Sequence, residues 1–318
     1  MSERDILGIH HVTAIAGDPQ ANVDFYVEVL GLRLVKRTVN FDDPGTYHLY
    51  YGDELGRPGT ILTFFPWPGA PRGRRGAGQL TVTSFSVPAG SIEYWLDRLT
   101  SHDIEIEAKA ERFGAETLAF LDPDGLLLEL IAEERDAREP WNDGPVPAGR
   151  AIRGFHGVTL TESGYEATAE LLTRTMGFRA VGEERDRFRF AAGEGAPGTI
   201  VDVVCAPDAP PGLVAAGTVH HVAWRVAGED EQREWRGRLV GRGLNVTPVL
   251  DRQYFRSIYY REPGGVLFEI ATDPPGFTAD EPPEALGTGL KLPPWLEPHR
   301  NRIEGVLPHL RVPGAKNG

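Results

Sequence analysis

The sequence is poor in cysteine and in long hydrophobic runs, and each absence excludes a class of protein. A single cysteine, Cys205, has no partner for an intramolecular disulfide, excludes a metal cluster held by several thiolates, and fits a reducing compartment. No apolar run approaches the roughly 20 residues that span a bilayer. Met1 to Leu7 also lacks the basic segment and apolar core of a signal peptide. We therefore expect a soluble, cytoplasmic protein without a membrane partner.

Positive charge is also scarce. The 33 lysines and arginines are outnumbered by 46 aspartates and glutamates, which gives a net charge of -13. An acidic chain is repelled by phosphate backbones and anionic lipid surfaces, so we exclude nucleic acid as the main partner. With 318 residues, of which 41% are hydrophobic, the chain is long for one core and suggests about two domains.

Four internal repeats organise the chain. Each opens with a strand-like segment similar to "GIHHVTAIAGD" and closes with a glycine-led apolar strand such as "GVLFEIA". The opening segments start at Gly8, Gly78, Arg153 and Thr218. After each opening segment, apolar residues recur every three or four positions, which predicts an amphipathic helix. The predicted helices cover residues 19–30, 91–100, 164–176 and 230–240.

These repeats predict an α+β protein in which four βαβββ modules pair into two cup-shaped mixed sheets. We assign an N-terminal pair of modules to residues 1–134, a linker to 135–152, a C-terminal pair to 153–273 and a Pro-rich tail to 274–318. The tail is expected to pack on the body through a short helix, with a disordered tail as the alternative. The apolar tail residues that would bury area are Trp295, Leu296, Val306 and Leu310.

Alignment of the modules on their first and last strands brings metal-ligand residue types together. The aligned opening-strand residues are His11, Val82, Gly157 and His221. The aligned closing-strand residues are Thr63, Glu129, Asp202 and Glu269. Pairing the first module with the fourth groups His11, His221 and Glu269, whereas pairing the second with the third gives no imidazole. Pairing consecutive modules would instead group Asp202, His221 and Glu269.

Two imidazoles and one carboxylate on one face of a metal leave neighbouring coordination positions open. This suits Fe(II) oxygen chemistry, although Mn(II), Ni(II) or Zn(II) can use the same set. Because neighbours on a regular strand face opposite sides, one histidine of each His-His pair can be a ligand, and His10 should point away unless its strand is bulged. His156 aligns with His10 and is left out of the metal shell. We interpret His48 as a packed or surface histidine, and Glu129 as an anchor for a backbone group or a solvent cation.

The same residues resemble the vicinal oxygen chelate superfamily, and more narrowly its ring-cleaving dioxygenases acting on hydroquinones. The resemblance covers nearly the whole chain and is most specific in "VHHVAWRV" and "DRQYFRSIYYREPGGVLFEIATDPPGF". It implies that the second histidine of each pair is the ligand, so that His11, His221 and Glu269 hold the metal, usually Fe(II). It also maps further active-site positions onto His10, Thr13, His220, Arg252 and Tyr259.

By this resemblance the chain opens a hydroquinone-type or catechol-type ring with O2, so its partners are a small aromatic diol and dioxygen. Tyr259 and His220 are the expected proton-exchanging groups. Arg252 is expected to face the second phenolic oxygen or developing negative charge. Thr13 and His10 are expected to orient the metal ligands. Mn(II) in place of Fe(II) and assembly into a homo-oligomer stay open at this point.

Two alternatives use the same fold. A glyoxalase-type isomerase or a metal-dependent thiol transferase would share the ligands, but we identify no basic groove for the carboxylates of a glutathione-like thiol. A metal-free, drug-sequestering protein would have lost the ligand set. The presence of His11, His221 and Glu269 together argues against that second alternative.

Overall fold

Sixteen strands in residues 5–312, the part of the chain that the computed structural model describes, form two eight-stranded mixed sheets. Each sheet curls into a cup, and the helices cover the outer faces. The predicted α+β class, with four βαβββ modules in two cup-shaped sheets, is confirmed.

Each module consists of one helix and four strands. The first contains β1 (Ile9–Ala16), α1 (Pro19–Val23), β2 (Arg33–Asn40), β3 (Asp43–Gly52) and β4 (Ile61–Pro66). The second contains β5 (Gln79–Pro88), α2 (Ile92–Ser101), β6 (Ile106–Arg112), β7 (Ala115–Leu121) and β8 (Leu127–Glu133). The third contains β9 (Gly154–Glu162), α3 (Glu166–Arg174), β10 (Arg179–Glu184), β11 (Arg187–Ala191) and β12 (Ile200–Cys205). The fourth contains β13 (Thr218–Val226), α4 (Glu229–Gly241), β14 (Leu250–Asp251), β15 (Arg256–Arg261) and β16 (Leu267–Thr272).

The first predicted helix shows how local sequence sets an element. The Asp18 carboxylate accepts hydrogen bonds from the backbone N–H groups of Gln20 and Ala21, and so caps α1. The helix then widens into a π-helical turn, Asp24–Val29, and ends before Gly31, which adopts a positive φ of 72°. The predicted helix is therefore present, with a wider second half than its apolar spacing indicated.

The strand order decides how the modules pair. One sheet runs β14-β15-β16-β13-β1-β4-β3-β2 and the other β10-β11-β12-β9-β5-β8-β7-β6. The first module therefore joins the fourth, and the second joins the third, which is the pairing that groups His11, His221 and Glu269. The alternative pairing of consecutive modules is wrong. The division at residues 134 and 153 stays a prediction about folding units, because each sheet combines one module from either side of it.

The strand register is the same in all four modules. In each module the aligned residue of the closing strand, such as Glu269, pairs with a residue of the opening strand. That residue lies two positions after the aligned one, as Ala223 lies two positions after His221. These pairs are Thr13 with Thr63, Ser84 with Glu129, Thr159 with Asp202, and Ala223 with Glu269. Because residues two apart on a strand share a face, each opening-strand position faces the same cup as its closing-strand partner.

The tail follows the first sheet as irregular chain with a short helix, α5 (Arg300–Glu304). Leu292 and Ile303 are buried against Val39 of β2, whereas Trp295 and Val306 are 47% and 63% exposed. The expectation that those two side chains bury their area is wrong. Residues 313–318 of the predicted tail and 1–4 of the first predicted domain lie outside the described part. None of the helices in residues 5–312 is long and apolar enough to cross a membrane.

Candidate metal centre

Three buried donor atoms meet at the centre of the sheet that joins the first and fourth modules. Nε2 of His221 lies 3.0 Å from Oε2 of Glu269, and Nε2 of His11 lies 3.3 Å from the same oxygen. The two Nε2 atoms are 3.3 Å apart. His11 comes from β1, His221 from the adjacent antiparallel strand β13, and Glu269 from β16 on its far side. The fold therefore brings together three residues that the sequence spreads over most of the chain.

These three donors fit a divalent metal. Bonds of about 2.1 Å place ligands at right angles about 3.0 Å apart and tetrahedral ligands about 3.4 Å apart, and the observed distances lie in that interval. Oε2 of Glu269 is buried and receives no well-aligned hydrogen bond, which is costly for a carboxylate unless a cation satisfies it. The cluster has the residue types and the spacing of a buried metal site.

The protonation states of His221 and Glu269 are those of metal ligands. Burial lowers the pKa of His221, so this imidazole is neutral. Burial by itself raises the pKa of Glu269, but the adjacent His11 and His221 outweigh it and hold that pKa well below its usual range. A neutral imidazole and an ionised carboxylate are the forms that bind metals.

A serine that the sequence analysis missed fixes the carboxylate. The Ser257 hydroxyl, on β15, donates to Oε1 of Glu269 at 2.5 Å. With Oε1 held on that side, Oε2 faces the two imidazoles. Ser257 is fully buried. Nothing in the sequence singles it out, because its position is meaningful only once β15 lies beside β16.

Both His-His pairs lie on β-bulges. The pairing of β1 with β13 shifts by one residue at His10, and again at His220. A bulge turns the extra side chain away from strict alternation. Nδ1 of His10 consequently lies 2.9 Å from Nδ1 of His11, and Nδ1 of His220 lies 2.8 Å from Nδ1 of His221. The sequence predicts that His10 points away from the metal position unless its strand is bulged. The strand is bulged, and the His10 side chain contacts His11.

These contacts allow His10 and His220 to orient the two ligand histidines. A metal bound at the two Nε2 atoms would place the ring hydrogens of His11 and His221 on Nδ1, from which they would be donated to His10 and His220. Burial lowers the pKa of His10 well below its usual value and that of His220 to about 3, so both are neutral and can accept. This arrangement fixes the tautomer and the ring angle of each ligand.

Tyr259 and Arg252 lie on the fourth-module side of the site. Nε of Arg252 donates to the Tyr259 hydroxyl at 3.2 Å, and Tyr259 packs edge-on against the His221 ring. Burial raises the pKa of Tyr259, so its hydroxyl keeps its hydrogen at neutral pH. Thr13 lies on β1, the strand next to that of His221, and its hydroxyl is 3.1 Å from that of Thr63. The structure thus brings all five positions implied by the resemblance close to the three donors.

His48 differs from its interpretation as a packed or surface histidine, because it lines the same cavity. Its Nε2 lies 2.7 Å from the Thr63 hydroxyl and its Nδ1 lies 2.8 Å from the Tyr50 hydroxyl. Tyr50, His48, Thr63 and Thr13 therefore form one chain of polar contacts along the cup. The available signal was the alternation on β3, which places His48 and Tyr50 on one face.

A cavity of about 430 Å³ opens in front of the donors, within the size range of small-molecule sites. Part of its wall is aromatic. The apolar aromatic side chains in that wall are Phe41, Phe65, Trp67 and Phe255. A flat apolar wall beside a metal position suits an aromatic ring with polar substituents.

In the second sheet, arginines take the place of the metal. Arg112 pairs with Glu129 at 2.6 Å, while Arg187 and Arg189 pair with Asp202 at 3.0 and 2.7 Å. The expectation that Glu129 anchors a backbone group or a solvent cation is wrong, because its partner is a side chain of the same sheet. These ion pairs fill the cup, and the cavity left among its described residues has a volume of about 10 Å³, which is too small for a substrate.

The fold and this site define a class of protein. A family model described as the Glyoxalase/Bleomycin resistance protein/Dioxygenase superfamily matches residues 8–130 and 154–270. The chain belongs to that superfamily.

Particular relatives narrow the class. The "Putative ring-cleaving dioxygenase MhqO" of Bacillus subtilis is 50% identical over 303 residues, which cover 95% of this chain and 96% of the relative. The chlorohydroquinone/hydroquinone 1,2-dioxygenase of Sphingobium indicum is 40% identical over 91% of this chain and 92% of its own length. A crystal structure titled "putative dioxygenase from Bacillus subtilis" superposes with a TM-score of 0.93 at 49% identity, covering 97% of this chain and 99% of that one.

Proposed function

We propose that this chain is an Fe(II)-dependent ring-cleaving dioxygenase that opens a hydroquinone-type ring with O2. The observation that carries the proposal is the buried two-histidine, one-carboxylate cluster facing an aromatic-walled cavity. The relatives add support, since those reported above all bear dioxygenase names and one is named for hydroquinones. No observation of the site favours the isomerase or thiol-transferase alternative.

His11, His221 and Glu269 would hold the metal, with Fe(II) proposed ahead of Mn(II). A bound Fe(II) supplies open coordination positions and the one-electron chemistry through which O2 can react with an aromatic diol. One ring carbon–carbon bond breaks and both atoms of O2 enter the product, so no external reductant is consumed. The remaining tasks fall to the protein's own side chains.

Proton handling is assigned to Tyr259 and its neighbours. The Tyr259 hydroxyl keeps its hydrogen at neutral pH, and Arg252 donates to its oxygen, which leaves that hydrogen free to point into the cavity. Tyr259 can therefore donate a hydrogen bond to a substrate oxygen. His220 and His10 hold the ligand rings in position, while Thr13 belongs to the polar chain through Thr63.

Oxygen uptake tests the proposal. Anaerobically Fe(II)-loaded protein is given hydroquinone, methylhydroquinone and catechol in turn in an oxygen electrode. We expect uptake with the hydroquinones, lost in His221→Ala and Glu269→Ala. Glu129→Gln, at the equivalent position of the other sheet, is the matched control and should retain activity. Bound iron without uptake on any of the three diols would overturn the proposal.

Two coarser expectations also belong here. We propose that the protein works in the cytoplasm, since its single cysteine needs no oxidising compartment. Light scattering after size-exclusion chromatography would decide between a monomer and the homo-oligomer that the sequence analysis left open.

A further inference from the structure

The β2–β3 hairpin of the first module overhangs the cavity from the side opposite the fourth module. Asn40, Phe41 and Asp42 at its tip line the cavity together with Leu250 and Arg252. The cavity wall therefore combines a hairpin tip of one module with a loop of another. Polar groups at this part of the wall are in a position to select substrates.

Arg252 is the one arginine or lysine among the described residues that line the cavity. Its charge is already matched. Nη1 of Arg252 lies 3.0 Å from Oδ2 of Asp42, and its Nε donates to Tyr259. Asp42 and Arg252 are 210 positions apart in sequence, so this contact exists only because the first and fourth modules share a sheet.

Apart from the proposed metal, the described side chains of the wall offer no second cation. Phe41, Phe65, Trp67 and Phe255 are apolar, and burial lowers the pKa of His48 well below its usual value, which keeps that imidazole neutral. A substrate carboxylate that does not itself bind the metal would have to displace Asp42 from Arg252 or stay unpaired. Leaving an ionised carboxylate in a partly desolvated cavity without a partner is unfavourable.

From this geometry we infer that Asp42 is a specificity-determining residue: by occupying Arg252 it favours hydroquinones with uncharged ring substituents over hydroquinones that carry a carboxylate. The inference rests on the proposed function, since it concerns the ring that the same cavity takes. It assigns Asp42 a role through Arg252, without contact with the reacting atoms.

The Asp42 side chain is 73% exposed, so solvent screens its charge and the effect is a modest factor. We expect Asp42→Asn to raise the ratio of kcat/KM for 2,5-dihydroxybenzoate to kcat/KM for methylhydroquinone about fivefold. Asp42→Glu, which keeps the negative charge, should leave this ratio at its wild-type value. Asp43→Asn is the matched control, because it removes the same charge one residue away, where the carboxylate accepts from Thr46 and not from Arg252.

A binding measurement separates this inference from the proposed function. Trp67 lines the cavity, so anaerobic titration of the Fe(II)-loaded protein with each diol can be followed by tryptophan fluorescence without turnover. A shift of the Kd ratio in Asp42→Asn without oxygen uptake would support the inference while the dioxygenase proposal fails. Oxygen uptake with an unchanged ratio, or an equal shift in Asp43→Asn, would overturn the inference and leave the dioxygenase standing. If neither diol binds the wild type, both the inference about Asp42 and the dioxygenase proposal are wrong.

Discussion

The Ser257 hydroxyl lies 2.5 Å from Oε1 of Glu269, and in the other sheet the Ser84 hydroxyl lies 2.9 Å from Oε2 of Glu129. A serine thus orients a carboxylate in each cup, but from different strands, since Ser257 is on β15 and Ser84 is on the opening strand β5. The Ser84 contact still gives the metal site a reference for experiment in the same molecule.

Ser257→Ala should weaken metal binding about tenfold, because the Glu269 carboxylate loses the hydrogen bond that fixes its orientation. Competition with a chelator of known affinity, using Mn(II) or Fe(II), measures the change. Ser84→Ala is the control and should leave metal affinity unaltered. An equal effect of both substitutions would mean that the serine acts on the stability of the sheets and not on the site.

His220→Leu should also weaken metal binding about tenfold, since Nδ1 of His221 loses its acceptor and the ring its fixed tautomer. His220→Asn should recover most of the affinity, because an asparagine oxygen can occupy nearly the place of the imidazole Nδ1. Chelator competition on the two variants gives the comparison. If Asn and Leu are equally impaired, the acceptor role assigned to His220 is wrong.

A buried carboxyl pair predicts how stability depends on pH. The Thr168 hydroxyl bridges Oε2 of Glu162 at 2.6 Å and Oε2 of Glu262 at 2.7 Å. One hydroxyl hydrogen can serve only one of them, so the other carboxyl must itself carry a proton. Glu262 accepts from the backbone N–H groups of Gly264 and Val266, which assigns the proton to Glu162. Burial, and then the charge of Glu262, raises the pKa of Glu162 to about 8.

The sign of this pH dependence follows from the number of protons that the folded and unfolded states bind. Between the ordinary glutamate pKa and about 8, the folded protein holds a proton on Glu162 that the unfolded chain has released. The free energy of unfolding from this group should therefore fall as pH rises through that window, by up to about 1.4 kcal/mol per pH unit. Urea unfolding at pH 5 to 8 measures the slope, and Glu162→Gln should flatten it. A wild-type slope of the opposite sign would refute the assignment.

Lys36→Met should lower the free energy of unfolding by about 3–5 kcal/mol, because it leaves two carboxylates without their buried cation. Nζ of Lys36 is fully buried and lies 2.6 Å from Asp280 and 2.5 Å from Glu281, both in the tail. Denaturant unfolding measures the loss. Lys109→Met, at an exposed ion pair with Glu93, should leave the unfolding midpoint in place. A Lys36 variant as stable as the wild type would show that the tail is not held by this pair.

The repeats predicted which strands carry the three donors, and the family resemblance chose the second histidine of each pair. His11, His221 and Glu269 occupy equivalent positions of repeated strands, and a period shared by four modules specifies which residues share a cup. The bulges at His10 and His220 could not be predicted, because an extra residue becomes visible only against the partner strand. The roles of Ser257, His48 and Asp42 were not predicted for a related reason. Each role depends on a contact with a residue of another strand or another module.

The joining of the first module to the fourth also dictates when the site can exist. His11 and Glu269 stand 258 positions apart (269 − 11) and meet only when β16 is added beside β13. At 5 to 20 residues per second, the ribosome makes the carboxylate ligand about 13 to 52 seconds after the first histidine. The second and third modules can close their sheet in that interval, while β1 to β4 wait with one edge unpaired. Metal binding by all three donors thus has to wait for Glu269, and a chain interrupted between residues 206 and 268 would hold every strand of the second cup but not the complete candidate metal centre.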